Sequence, residues 1–502
     1  MTRERLLETA KVLALACAAS LATRAAFFGA GFTNVDEGAH WVGAHELLSG
    51  GRLYVDFADN KPPLVYAYYA LAHAFGANVL GVRVVTALAA WPAIALGIVT
   101  FYDFTRPGLA AALVFIVASA TLLPSDAHAI NGEHISLVPL AVSVALLRSP
   151  DSLGRPLRML LVGVLVGIAS LAKQPAALCG VAYGVCVLRT RDITMQRRLA
   201  SIVSLAVGFA APLALAAAFF AQEGSLDAFV YWVYRYNLVH LHNPMTLGDR
   251  VRQLFKMGAV LVPSVGVLAF AYARAVRLDP HRRALVFGLV LATLLPAFLG
   301  WRLFGHYFVP LIFALSLGGG PFFAALPRSP GAKLCAAVLA AGCVAFTIGG
   351  RIVHDPARNL TDVSDPRYAR IAASMPSSCA VARPLFVWGY APQLYVLARL
   401  RPASRFVVPI DTITGYIVGN DTFARGALDT TSRIVPEHWD WLMSDLERSR
   451  PEYIVDTAPA DLNHWSLYPL SKFPRLAAFV DRGYRVDAVV GGAIIYRRTD
   501  CP

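Results

Sequence analysis

Leu199-Ala-Ser-Ile-Val-Ser-Leu-Ala-Val-Gly-Phe-Ala-Ala-Pro-Leu-Ala-Leu-Ala-Ala-Ala-Phe-Phe-Ala221 carries no charge from end to end. As an α-helix rising about 1.5 Å per residue it would be about 34 Å long, enough to cross the hydrocarbon core of a bilayer. Arg197 and Arg198 precede it and Gln222-Glu223 follow it. The same pattern recurs near 7–29, 80–102, 107–124, 134–148, 157–172, 175–189, 256–275, 284–300, 303–320 and 332–352. With 199–221 these runs predict a polytopic α-helical membrane protein of about 11 transmembrane helices.

Composition agrees. Of 502 residues, 57% are hydrophobic and 15% charged, and the mean hydropathy is +0.54. So few charges cannot clothe a soluble core of this size, which excludes a soluble cytoplasmic enzyme and, equally, a disordered chain or a coiled coil. The net charge of +13 comes mainly from arginines in short loops between apolar runs: Arg148, Arg155 and Arg158; Arg189, Arg191, Arg197 and Arg198; Arg274, Arg277, Arg282 and Arg283; then Arg328 with Lys333. Basic loops face the cytoplasm, so this distribution explains the charge without nucleic acid as a partner. It also places the N-terminus in the cytoplasm and, after eleven spans of an inner (plasma) membrane, everything beyond 352 outside. The short halves flanking Lys173-Gln174-Pro175 leave open a broken hairpin that does not fully cross. The first run continues beyond the length of a signal peptide and reads as an uncleaved anchor.

Polar residues concentrate in four outer segments: 30–79, 123–133, 222–255 and the tail from 353. Residues 1–352 read as the transmembrane domain, with 30–79 its large first outer loop. In the tail, 353–502, alternating runs at 380–388, 405–409, 453–456, 484–490 and 493–497 predict strands. Helical patterns near 391–399, 436–450 and 470–482 lie between them, giving a small C-terminal extracytoplasmic α/β domain. Cys379 and Cys501 both fall there, in an oxidising compartment, and are a disulfide candidate. The other five cysteines sit inside spans and read as packing residues.

Asn34-Val35-Asp36-Glu37-Gly38-Ala39-His40-Trp41 opens a helix that should stop at Ser49-Gly50-Gly51. Asp36 and His40 share a face, while Asp36 and Glu37 point about 100° apart, so one can meet a substrate while the other holds structure. On spacing alone these acids serve a helix N-terminus as readily as a reaction. In Tyr54-Val-Asp-Phe-Ala-Asp59-Asn-Lys61-Pro-Pro-Leu64 the ammonium of Lys61, in a chain that otherwise prefers arginine, suits a phosphate at headgroup depth; a snorkelling lysine is the other reading. Ser125-Asp126-Ala-His-Ala-Ile-Asn131-Gly-Glu133-His134 packs polar groups into one short outer turn. They suit a cavity wall, or Asp126 and Asn131 cap the next helix. Lys173, and Arg302 with His306, put positive charge on the outer side, against the inside bias.

Taken in order, Asp36-Glu37-Gly38, Tyr54 to Leu64, Asn131-Gly132-Glu133, Lys173-Gln174-Pro175, Tyr231 to Asn237 and His306-Tyr307-Phe308 resemble the motif series of the C superfamily (GT-C) of membrane glycosyltransferases. The branch is that of protein mannosyltransferase-like and aminoarabinose-transferase-like proteins. The resemblance covers most of 1–320 and, more loosely, Val387 to Pro392 in the tail. It implies transfer of a sugar, with inversion, from a polyprenyl-phosphate donor to an envelope glycolipid, polysaccharide or protein at the outer face. Asp36 would be the general base, with Glu37 supporting it or touching the sugar, and Lys61 would bind the donor phosphate. The arginine that aminoarabinose-type enzymes offer from the fourth outer segment is replaced by His240, with Arg235 or Arg302 as substitutes. His40, Asp59, Asp126, Asn131, Glu133, Lys173, His306 and Tyr307 would line the cavity. No cofactor is fixed by the sequence; metal dependence stays open, since members of the superfamily differ and two or three of these carboxylates could hold a divalent metal ion. The alternative from another class is a transporter or flippase of lipid-linked glycans, which should show repeat symmetry and mid-span charges.

Overall fold

The computed structural model describes residues 3–75, 79–190, 192–240, 245–275, 278–353, 365–376, 384–409, 411–416 and 431–501. Each of the eleven apolar runs is helical. Among the described residues, six helices are long and apolar enough to cross a membrane: Arg3–Phe27, Val79–Phe101, Met195–Gln222, Leu247–Arg274, Gly305–Ala324 and Pro330–Ile352. Arg106–Ser119, Gly132–Leu146 and Pro156–Ser170 are apolar but shorter. Ala177–Arg189 and Pro280–Ala297 complete the eleven. The expected break at Lys173 is present: its backbone is extended, and Pro175 starts the next turn.

Small residues bring these helices together, because in a bilayer it is close packing rather than the hydrophobic effect that joins apolar surfaces. Gly163 lies against the Leu205 carbonyl and Gly208 against that of Leu160, where a Cβ would collide with the facing backbone. The bundle core is built from Trp91, Ile98, Phe115, Val166, Tyr183 and Ile312, all buried.

The tail forms one four-stranded sheet from β1 (Leu385–Trp388), β2 (Tyr453–Asp456), β3 (Tyr484–Val490) and β4 (Ala493–Arg498), in the order β1-β2-β4-β3. β1 and β2 are parallel; β2–β4 and β4–β3 are antiparallel. Helices Gln393–Ala398, Pro436–Ser449 and Pro474–Gly483 accompany it. Pro474 divides the expected 470–482 helix into a short turn and a helix that begins at the proline. The strand expected at 405–409 is absent. That segment bends away because Asp445 gathers the Ser404 hydroxyl, the Arg405 N–H and the Arg405 guanidinium. Just before it, a single bridge joins Pro402 to Leu385 of β1. Cys501 is disulfide-bonded; Cys379 lies outside the described residues.

The change of architecture near 352 is not a break in packing. Tyr54, Phe57 and Tyr66 of the 30–79 segment, Phe229 and Trp232 of the 222–255 segment, and Trp388, Leu442 and Ile454 of the tail share one buried core.

Candidate active site

Asn34 starts the site. Its side-chain oxygen accepts the Asp36 N–H at 2.9 Å, capping the helix Val35–Leu48 and fixing both acids in its first turn. From there they part. Asp36 lines a cavity of about 700 Å3. Glu37 is fully buried, accepts the Thr33 N–H at 2.8 Å and meets Arg83 at 3.0 Å. It does not line the cavity, which corrects its expected contact with substrate: a buried guanidinium needs a counter-charge, and Glu37 is spent on it.

Lys61 arrives from a segment turned by Tyr54, whose backbone is left-handed (φ 72). The Tyr54 hydroxyl donates to the Lys61 carbonyl at 2.8 Å. Lys61 Nζ stands 3.8 Å from Asp36 Oδ1 and 3.8 Å from Asp59 Oδ1, with its shorter contact, 3.2 Å, to the neutral Asn60 amide. The Tyr66 hydroxyl holds Asp59 at 2.8 Å. Burial opposes a charge on Asp36, but Lys61, with His40, His306 and Lys173, overrides it and holds the carboxyl at about 2. Burial likewise opposes the Lys61 charge, and Asp36 and Asp59 more than offset it, raising its pKa. Both groups are therefore ionised near neutral pH.

Two further pairs line the same cavity. Lys173 Nζ is 2.7 Å from Glu133 Oε1 and lies over the Tyr307 ring at 4.9 Å. His306 Nδ1 is 2.8 Å from Asp126 Oδ1. Asn131 joins this wall. Arg302, buried, enters from a strained turn in which Gly300 (φ 70), Trp301 (φ 55) and Leu303 (φ 47) are all left-handed. Gln253 fixes that turn by donating to the Arg302 carbonyl at 2.8 Å. Strain of this kind persists only where the surroundings impose it.

Other expected residues are not brought in. His40 is fully buried behind Asp36 and does not line the cavity; burial pushes its imidazole down to about 4. Arg235 is exposed and off the cavity. The His240 side chain lies outside the described residues. Among the described residues no three His, Cys, Asp or Glu side chains converge to hold a metal ion.

Two groups of residues were not singled out from the sequence. Asn60, Gln174 and Asn237 form a network behind Lys61: Asn237 donates to the Asn60 carbonyl at 3.0 Å, and Gln174 donates to the Val233 carbonyl at 2.9 Å. Their motifs were visible, but not their convergence. Tyr390 and Asp411 line the cavity from the tail, Asp411 accepting from the Tyr236 hydroxyl at 2.6 Å; Tyr390 lies in the loosely matching 387–392 stretch, and no local pattern marks Asp411. Away from the charged wall the lining becomes apolar, with Leu140, Cys179, Met257, Ala292 and Pro296.

Neither a protein-family model nor a curated protein matches this sequence. Solved structures do. ArnT from Cupriavidus metallidurans in the apo state superposes with a TM-score of 0.58 at 15% identity, covering 97% of each chain. The same protein bound to undecaprenyl phosphate gives 0.57 at 15%, over 99% of this chain and 98% of that one. Arabinofuranosyltransferase AftD from Mycobacteria gives 0.50 at 15%, over 97% of this chain and 40% of AftD. Identity this low speaks to fold alone: over nearly its whole length the chain shares the fold of ArnT.

Proposed function

We propose that the chain transfers a sugar from a polyprenyl-phosphate donor to an envelope acceptor, at the outer face of the inner membrane and with inversion at the sugar carbon. One observation carries this reading: a single cavity has the Asp36–Lys61 pair in a charged wall and apolar side chains from several helices elsewhere in its lining. A phosphate with a long hydrocarbon tail needs both environments. ArnT, a chain of the same fold, was solved with undecaprenyl phosphate bound, which supports a lipid phosphate as the occupant.

In this reading Asp36 accepts the acceptor's hydroxyl proton as the oxygen attacks the sugar carbon. The bond from that carbon to the phosphate oxygen breaks, and its electron pair leaves on the phosphate. Lys61, and Arg302 from the opposite turn, stabilise the charge that develops there. Phosphate leaves readily, so no strong acid is needed. The apolar helices seat the prenyl chain, and Tyr390 and Asp411 bring the tail to the acceptor side. The test is mass spectrometry of envelope glycans from a deletion strain complemented with wild type or Asp36→Asn. A glycan lost on deletion and restored by wild type alone supports the reading; an unchanged glycan profile in the deletion strain refutes it.

A further inference from the structure

A proton taken by Asp36 has to leave again. A carboxyl held at about 2 retains no proton near neutral pH. The basic groups around it are Lys61, His40, His306 and Lys173, and the Asn34 side chain that caps Asp36 also donates to the Ser125 carbonyl at 3.5 Å, which ties the Asp126 turn to it. Lys61 and Lys173 are already ammonium groups beside carboxylates. His40 is fully buried, lies off the cavity, and has no hydrogen-bond partner for either ring nitrogen among the described residues. His306, also buried, differs in facing the cavity and in having a partner. It lines the cavity, its Nδ1 is 2.8 Å from Asp126 Oδ1, and its ring is stacked on Phe304 and meets Tyr307 edge-on. With Nδ1–H donated to the carboxylate, Nε2 is left as the proton acceptor. Gly305 permits this approach, since a Cβ there would stand 2.6 Å from Asp126 Oδ2.

We propose that Asp126 and His306 form the proton relay of the transfer site, His306 Nε2 taking the acceptor's proton from Asp36. The inference rests on the glycosyltransferase reading above. The acceptor O–H bond breaks as its oxygen bonds to the sugar carbon, and the carbon–oxygen bond to phosphate breaks with its electron pair leaving on phosphate. The proton passes through Asp36 to Nε2, then to water or the departing phosphate. Asp126 is a positioning residue: it sets the tautomer and stabilises the imidazolium. Glu133, Lys173 and His134 are the other charged or titratable groups facing the pair, besides Asp36 and Tyr307.

The test uses the full chain in a deletion strain, where the outer face experiences the pH of the medium. The initial rate at which the missing glycan reappears is measured by mass spectrometry from about pH 5.5 to 8.5 for wild type, His306→Gln, Asp126→Asn and Asp36→Asn, a range that brackets the imidazole titration. Binding of undecaprenyl phosphate to each purified variant checks that the site is intact. Wild type should lose rate on the acid side, where Nε2 is already protonated. His306→Gln should fall on the order of 10- to 100-fold at neutral pH and lose that acid limb. Asp126→Asn should keep the limb and move it to lower pH, because the stabilising carboxylate is gone. A His306→Gln variant with wild-type rate and limb overturns the relay, as does a uniform loss with an unchanged pH profile. Full rate in Asp36→Asn would instead overturn the parent reading.

Discussion

Arg83 closes on Glu37 at 3.0 Å with both side chains buried, while Asp36, the preceding residue, faces the cavity. Two adjacent carboxylates thus have different work. Glu37→Ala strands a buried guanidinium, which should cost about 3–5 kcal/mol of stability. Thermal melting in detergent checks this: a large drop for Glu37→Ala, and little change for Asp36→Asn.

Asp36→Asn keeps the size and most hydrogen bonds of the side chain but removes its basicity. Transfer should fall by a factor on the order of 10² to 10⁴, with insertion, expression and donor binding preserved. Near-normal transfer by this variant would remove Asp36 from the chemistry.

Lys61→Ala should act on two quantities together. Losing a cation beside the phosphate weakens undecaprenyl-phosphate binding and also slows turnover, because the leaving charge is no longer stabilised. Titration of the lipid phosphate against purified variant and wild type separates this from Asp36→Asn, where binding survives.

The Asp36–Lys61 pair also has an acid signature. The Asp36 carboxyl is depressed to about 2 in the folded chain, so its stabilisation is complete above the ordinary carboxyl range. It is lost as pH falls from about 4 toward 2. Replacing Lys61 removes the cause, so the Lys61→Ala melting temperature should depend less on pH across that window than wild type's.

Topology and the tail thiols are checked directly. A reporter fused after Arg351 should be active outside the cytoplasm, and one fused near Arg191 inside. Peptide mapping without reduction should recover Cys379 joined to Cys501; both as free thiols in native membranes would exclude the bond.

Much was legible in the chain because local physics decides it. An uncharged run such as 199–221 has one low-energy form in a bilayer, so the helices followed from composition. Asn34 before Asp36 marks a helix start, and Pro63, Pro156 and Pro280 begin helices where their missing N–H is harmless. Alternation was enough for the four strands but not for 405–409, where Asp445, distant in sequence, captures the backbone. What tertiary structure alone decided was the direction of each charge. Asp36 and Glu37 are equivalent in sequence until Arg83 packs beside one of them and Lys61 beside the other. His40 and His306 are likewise two buried histidines near carboxylates, separated by the cavity that His306 lines and His40 does not and by the arrival of Asp126. Asp411 reaches the cavity because the tail shares its core with the 30–79 segment. These outcomes depend on pairings between residues far apart in the chain, and an ion pair has no periodicity from which it could be read.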